Sequence, residues 1–549
     1  MTEGICMKKL SSIIFSTKDI KQNFIRAALL ITAVCQFAII LYFNIFQART
    51  HLGIDSSWDY LKTAVVANSG SIYPTSLLSE TTAPLIDRLF IFALPLFKIT
   101  GNIWISYAIA KLITTVLIII LIYNILKIKE YGITEFLVVL NLFLCPYQLN
   151  EFSWMNDLGY FSCIHVMASV YSFRILGMLL AYRILLIEKI GKKDIALIVL
   201  SILLSVLFGI GSGMSMIAMF FLPLLLSRIL LTFVNNDWSF LVNKKSMFVY
   251  ASIISVAVGR VLGGALGLTY KDAIENWISA DGFWSNLGNE IVAFMLLLGA
   301  IPEAGVERSP MSFAGLSHVF GLVIFVAIVI SLLFVIVSLV KSAKAKELDE
   351  FWATLVTVVL ATILEFSLLD TTYGDPTFEK RYLLTALVTG FFFVAYFINK
   401  TDKSSLFRGF CILVVTGAII LTDLVSDYNY KRQGSDEFQM AAMVDVIDST
   451  DAGLVYAYGD NTIIYERCIR VMDLDRYYKQ IRDDGSLNTW GDYRYYDDST
   501  QYVGPTVLMV AEDGEKPSDE IMSNYQLLET IHNISIYYSK DNPIDLEDI

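Results

Sequence analysis

The stretch Gly53-Ile54-Asp55-Ser56-Ser57-Trp58-Asp59-Tyr60 puts two carboxylates and two aromatic rings within six residues. Directly before it lies an apolar run, roughly residues 24–46, about as long as a helix needs to be to cross the hydrocarbon core of a bilayer. The run is too long for a signal-peptide core and no small-x-small cleavage site follows it, so it reads as an uncleaved anchor. The acidic stretch therefore opens at the point where the chain leaves a membrane.

Working outward, apolar runs near 20 residues recur along most of the 549 residues. With 55% hydrophobic and 17% charged residues and a mean hydropathy of +0.59, the chain reads as a polytopic membrane protein. Charge is uneven. Residues 425–549 carry 25 acidic and 10 basic side chains, a net of −15, whereas residues 1–424 carry 28 acidic and 31 basic, a net of +3. That contrast implies a transmembrane domain, 1–424, followed by an acidic polar domain, 425–549, and gives no sign of a nucleic-acid partner. Of the six cysteines, Cys35, Cys145, Cys163 and Cys411 lie in or beside apolar runs and Cys468 stands alone in the tail, which suits burial better than a disulfide framework.

Basic clusters fall at Lys8 to Arg26, Lys127/Lys129, Arg183 to Lys193, Lys244/Lys245, Lys341 to Lys346 and Lys400 to Arg408. If each is cytoplasmic, an even number of spans separates neighbours, and the runs 132–149 with 161–182, 195–208 with 214–233, 247–267 with 316–340, and 351–369 with 382–399 pair accordingly. The pieces 84–97 and 291–301 are too short to cross and read as outer juxtamembrane helices. Gly209 to Gly213 supplies the turn inside the long run 195–233. The expected fold is a polytopic α-helical membrane protein with about 11 transmembrane helices and a small C-terminal extracytoplasmic α/β domain. It would sit in the cell membrane with a cytoplasmic N-terminus. The segments 47–103, 150–160, 268–315, 370–381 and the tail then share the outer face. In the tail, a helix over 435–449 and strands over 453–458, 506–511 and 531–538 are expected, with loops over 473–502.

Ionisable groups in or at the ends of spans are costly and mark candidate sites. On the outer side these are Asp55, Asp59, Glu80 and the turn Asn156-Asp157, with His165 two turns further on. Arg174 and Arg260 lie within helices, and Arg381 begins one. Each has a plainer role open to it: Asp59 as a solvated carboxylate, the arginines as partners of Glu365 or of backbone carbonyls, His165 as a hydrogen-bonded bundle residue. Trp154, Trp277, Trp284 and Tyr373 fit an aromatic belt as well as sugar stacking. There is no His-Glu-x-x-His, no Gly-x-Ser-x-Gly and no phosphate-cradling glycine loop, and only four histidines, which leaves carboxylate chemistry.

The order Asp55-Ser56-Ser57-Trp58-Asp59-Tyr60, then Gly70-Ser71-Ile72-Tyr73-Pro74, then Ala83-Pro84-Leu85 resembles the C-type (GT-C) membrane glycosyltransferases. These use polyprenyl-phosphate sugars and include the protein O-mannosyltransferases and the lipid A aminoarabinose transferases. The resemblance covers about residues 20–160, and the overall topology is similar throughout. It implies that Asp55 is the catalytic carboxylate and that Asp157 stands where the family often has a second one. Ser56 replaces the family's paired acid, and Thr82-Ala83 replaces its Glu-Lys, so that Asp59 and Glu80 are neighbours that could substitute.

The implied function is transfer of a sugar from a polyprenyl-phosphate donor to an extracytoplasmic glycan, lipid or protein. Asp55 would act as general base, a contribution of ~10²–10⁴-fold in rate. Arg174, Arg260 or Arg381 could grip the phosphate, and Trp58 could contact the sugar. A divalent cation on Asp55, Asp157 and His165 is compatible but not required. The competing readings are a transporter or flippase of lipid-linked sugars, a glycan polymerase or ligase of another membrane fold, and a non-catalytic envelope assembly protein.

Overall fold

The computed structural model describes residues 20–48, 54–70, 85–147, 159–166, 170–266, 277–302, 309–369, 380–401, 435–474, 476–487 and 502–544. Eight of its helices are long and apolar enough to cross a membrane, so the chain is an integral membrane protein. They correspond to eight of the expected eleven spans. Of the other three, 132–149 is reduced to the 12-residue helix Ile133–Leu144, almost wholly buried among its neighbours. The run 161–182 is broken into the wide turn Ser162–Val166 and the helix Val170–Leu185. The run 407–424 lies outside the described residues.

In chain order the N-terminal helices are α1 (Ile20–Tyr42), α2 (Ile54–Ser69), α3 (Phe90–Thr100), α4 (Ile103–Ile128), α5 (Ile133–Leu144), α6 (Val170–Leu185), α7 (Lys192–Ser212) and α8 (Leu222–Asn235). They are followed by α9 (Ser239–Val242), α10 (Lys244–Ala265), α11 (Ala280–Leu297), α12 (Phe313–Lys344), α13 (Glu350–Leu368) and α14 (Leu384–Lys400). The segment 47–103, expected to lie outside, is thus not an open loop, because α2 and α3 occupy much of it. Tyr60, Leu61, Ala64 and Val65 recur at helical spacing and are all buried, a stripe obscured in the sequence by Lys62 and Thr63 between them and by the Ser and Asp residues before them.

Local chemistry fixes the next turn. Gly101, at φ +64, ends α3 with its N–H on the Phe97 carbonyl, and the Asn102 side chain accepts from the Ile105 N–H at 3.1 Å to start α4. Gly209 does not make the turn expected of it. α7 runs on to Ser212, and the chain turns at Gly213, where φ is +62. Gly209 instead faces α10: a methyl group on it would collide with the Val256 carbonyl, and one on Gly259 with the Val206 carbonyl. The break at Ser162–Val166 leaves carbonyls that polar side chains must satisfy inside the bundle. Lys111 Nζ donates to the Ile164 carbonyl at 3.1 Å and Asn44 Nδ2 to the His165 carbonyl at 2.7 Å.

Basic turns gather at one end of the bundle. Lys129 pairs with Asp349 at 2.7 Å, and both Arg228 and Lys245 reach Glu350 at 2.5 Å. The C-terminal unit contains α15 (Ser435–Asp448), β1 (Leu454–Tyr458), α16 (Asp460–Met472), β2 (Tyr477–Ile481), β3 (Thr506–Ala511), α17 (Asp519–Met522), β4 (Gln526–Ile531) and β5 (Ile534–Ser539). Its five-stranded sheet has the order β2-β1-β3-β5-β4, parallel from β2 to β3 and antiparallel beyond. β2 corrects the expectation of loops over 473–502, since Tyr478, Gln480 and Ile481 are buried beside β1.

Replacing Gly209 by Ala is expected to lower the thermal unfolding midpoint in detergent, the overpacked contact costing about 1–3 kcal/mol. Gly264→Ala, where nothing lies within 4 Å of the added methyl, should shift it the other way, by about 0.5–1 kcal/mol.

Candidate functional site

α2 carries Asp59 inward. Its carboxylate, 2% exposed, accepts a hydrogen bond from Arg88 Nη1 at 2.7 Å. The Asp59 carbonyl accepts from Thr63 Oγ1 at 2.7 Å and from the Tyr107 hydroxyl at 2.8 Å, while the Tyr60 ring packs on Tyr107 and Trp104. Both the backbone and the side chain of Asp59 are therefore held.

Arg88 follows the single tight turn Leu85–Asp87 and precedes α3. Its neighbour Asp87 is fully buried, with Oδ1 3.8 Å from Arg88 Nε and Oδ2 accepting from Ser212 Oγ. Only glycine fits at Gly211, since a methyl there would overlap the Asp87 carboxyl. Ser215 Oγ donates to the Ser212 carbonyl at 3.0 Å, and Arg174 Nη2 donates to Ser215 Oγ at 3.1 Å. A continuous chain of polar contacts thus runs from Asp59 through Arg88, Asp87, Ser212 and Ser215 to Arg174.

Burial pushes the Asp87 carboxyl above the usual carboxylate range, opposed first by Arg88 and then by the Ser212 hydrogen bond. Lys62, one turn after Trp58, is buried too. Desolvation, reinforced by the nearby Arg88 charge, lowers its ammonium to about 8 against the pull of Asp59 and Asp87. Lys62 Nζ lies 5.4 Å from the centre of the Trp58 ring, and the Arg467 guanidinium of α16 lies 5.5 Å from the same ring. Lys62, Arg88 and Arg174 therefore stand close enough to the buried acids Asp59 and Asp87 to act on them, and Arg467 shares the Trp58 ring with Lys62. Such a gathering of cations suits an anionic ligand.

Several expected site residues join this cluster. Asp59, Trp58 and Arg174 belong to it, and Asp55 lies on α2 one helical turn before Asp59. Asp59 is not a solvated carboxylate, and cations occupy the neighbourhood of the Trp58 ring. Arg381 stands beside the Tyr382 ring at 6.0 Å and is close enough to act electrostatically on Tyr171, over which Arg174 also lies, at 5.2 Å. His165 is enclosed by Phe143, Tyr160 and Phe161, with Nε2 2.7 Å from the Phe143 carbonyl. Arg260 sits on α10 just past the Gly209–Gly259 crossing. Glu80 and Asp157 lie outside the described residues, as do Trp154 and Tyr373. Among the described residues no group of three His, Cys, Asp or Glu side chains could hold a metal ion.

Lys62, Arg88 and Arg467 were not singled out in the sequence. For Lys62 a signal exists: it falls at i+3 from Asp59 and i+4 from Trp58 on a helix. Arg88 and Arg467 reach the cluster only through tertiary contact.

Arg88→Met is expected to destabilise the protein by about 2–3 kcal/mol, because it strands the Asp59 charge. Asp59→Asn in the same chain should restore most of the loss. A double-mutant cycle of unfolding midpoints checks the coupling.

No protein-family model matches the chain, and no curated protein matches it. Among solved structures, ArnT from Cupriavidus metallidurans aligns over 93% of this chain and 97% of its own. In the apo state the identity is 10% and the TM-score 0.54; bound to undecaprenyl phosphate they are 9% and 0.52. An oligosaccharyltransferase of Archaeoglobus fulgidus aligns over 82% of this chain and 62% of its own at 13% identity, with a TM-score of 0.43 that is too low to support a fold assignment. The near end-to-end alignment shows that this chain shares the fold of ArnT.

Proposed function

We propose that this chain is a membrane glycosyltransferase that moves a sugar from a polyprenyl-phosphate donor to an extracytoplasmic glycan, lipid or protein. The observation that carries the proposal is the alignment along nearly the whole chain with ArnT, a protein solved with undecaprenyl phosphate bound. The cationic cluster beside α2 supports it independently. In this scheme residues 1–424 bind the lipid-borne donor in the membrane, and residues 425–549 form the extracytoplasmic domain.

The reaction breaks the bond between the anomeric carbon and the donor phosphate oxygen and forms one to the acceptor oxygen. The acceptor proton passes to a carboxylate, and the phosphate leaves on its lipid. A phosphodiester with one negative charge becomes a phosphomonoester that can carry two. Cations placed where that second charge develops lower the barrier. Arg88 and Lys62 are the nearest such groups to α2, with Arg174 behind them.

Asp55 is assigned as the general base by its place in the resemblance. Asp59 and Asp87 suit the task less well: the first is bound to Arg88 and the second is enclosed against Gly211 and Ser212. Asp59 then serves to hold Arg88. Asp55→Asn is expected to abolish transfer from a polyprenyl-phosphate sugar, while membrane insertion and the unfolding midpoint stay as in the parent. Near-normal turnover by that variant removes Asp55 from the role.

Lys62 gives the proposal a pH signature. Its ammonium is present below about 8 and lost above it. KM for the anionic donor should therefore rise as pH passes through that value. Lys62→Arg, which keeps its charge, should flatten the rise. An unchanged profile in Lys62→Arg excludes Lys62 from donor binding.

A further inference from the structure

We infer that Arg467, on α16 of the C-terminal unit, is a positioning residue for α2, so that the site requires both parts of the chain; the consequence for turnover rests on the function proposed above. Arg467 is 5% exposed, and its guanidinium stands 5.5 Å from the centre of the Trp58 ring, the same ring that Lys62 approaches to 5.4 Å. A desolvated cation over an indole is attracted by the ring quadrupole, and Trp is the strongest aromatic partner for it. The next residue, Cys468, is fully buried and accepts a hydrogen bond from Ser57 Oγ at 3.4 Å, and Ser57 is itself fully buried.

Packing extends the contact. Met440 of α15 with Cys468 and Val471 of α16 share one apolar cluster with Tyr60, Leu61 and Val65 of α2 and with Trp104 and Tyr107 of α4. α2 is therefore held on one side by α4 and on another by α16. Its first turn carries Asp55, and Asp59 follows one turn later. A small displacement of such a helix moves the acids relative to a bound sugar phosphate, and misplacement on the ångström scale costs rate steeply. The contact is buried and belongs to the same apolar cluster that packs α2 on α4, so it acts as a fixed brace.

The test exploits the Ser57–Cys468 contact. With Ser57→Cys, two sulfurs face each other across the seam, and oxidation should link α2 covalently to α16, the cross-link being identified by peptide mapping. Arg467→Ala in the full-length protein is expected to lower kcat/KM about tenfold and to speed amide exchange over residues 54–69 while leaving β1 and β3 unchanged. Arg467→Lys keeps a cation on the ring and should stay within about threefold of the parent; Arg467→Gln should fall with alanine, and this pair carries the comparison should the alanine variant not fold. In Ser57→Cys/Arg467→Ala, oxidation should restore turnover to near that of oxidised Ser57→Cys, and reduction should abolish the gain.

A cross-linked double variant that stays slow overturns the inference, because Arg467 would then act on substrate directly. Parent-like exchange over 54–69 in Arg467→Ala overturns it as well. The exchange measurement needs no turnover, so it still reads if the parent proves inactive toward polyprenyl-phosphate sugars, a result that counts against the proposed function alone.

Discussion

A carboxylate that is 2% exposed stays ionised in a protein interior only beside a cation, and Arg88 is that cation for Asp59. The pair is also a mechanical joint. Arg88 belongs to the short connection into α3, Asp59 to α2, and the adjoining Asp87 is tied to the end of α7 through Ser212. Two consecutive helices, α2 and α3, thus meet the more distant α7 at one dipeptide. Because Arg88 is 30% exposed whereas its partner is not, its outer face can meet a ligand while its inner face remains committed.

The bundle is built so that this joint can exist. Gly211 admits the Asp87 carboxyl, and Gly209 and Gly259 let α7 and α10 approach until backbone touches side-chain space. The broken helix at Ser162–Val166 would expose carbonyls in an apolar interior were Lys111 and Asn44 not there to donate to them. At the opposite end, Asp349 and Glu350 draw in Lys129, Arg228 and Lys245. That convergence agrees with the pairing of spans inferred from the basic clusters, since those loops would have to share one side.

Long apolar runs and charge clusters were legible because they depend on composition over 20 residues, and the eight confirmed helices are of that kind. Ile133–Leu144 fell short because it is enclosed by protein and need not cross lipid alone. α2 was obscured by its own polar residues, Ser57, Asp59, Lys62 and Thr63, which are buried. α16 and β2 were obscured in another way: Glu466, Arg467, Arg470 and Gln480 are buried, so the usual rule that apolar faces mark the core points away from them. The Asp59–Arg88 pair spans 29 residues, and nothing local in either stretch announces the other. Family resemblance could carry over Asp55 by its place in a motif. It could not supply Arg88, which stands where the chain has already departed from the pattern at Thr82-Ala83.

The placement of Arg467 bears on a conflict of charge. The C-terminal unit carries a net −15, and its field repels an anionic donor. Most of those carboxylates can be screened by water and salt if they stay at the surface. Arg467, buried at the seam against the Trp58 ring, meets α2 with the opposite sign of charge. The same unit keeps Arg470 inward, paired with Glu466 at 2.6 Å, where it cannot contribute to that field as a free cation. Of the two adjacent-turn arginines of α16, then, Arg470 is paired with Glu466 and Arg467 is directed at the α2 tryptophan. A unit with an acidic exterior can lie beside the proposed donor site where the charge it turns inward is of the opposite sign, and Arg467 on α16 is such a charge.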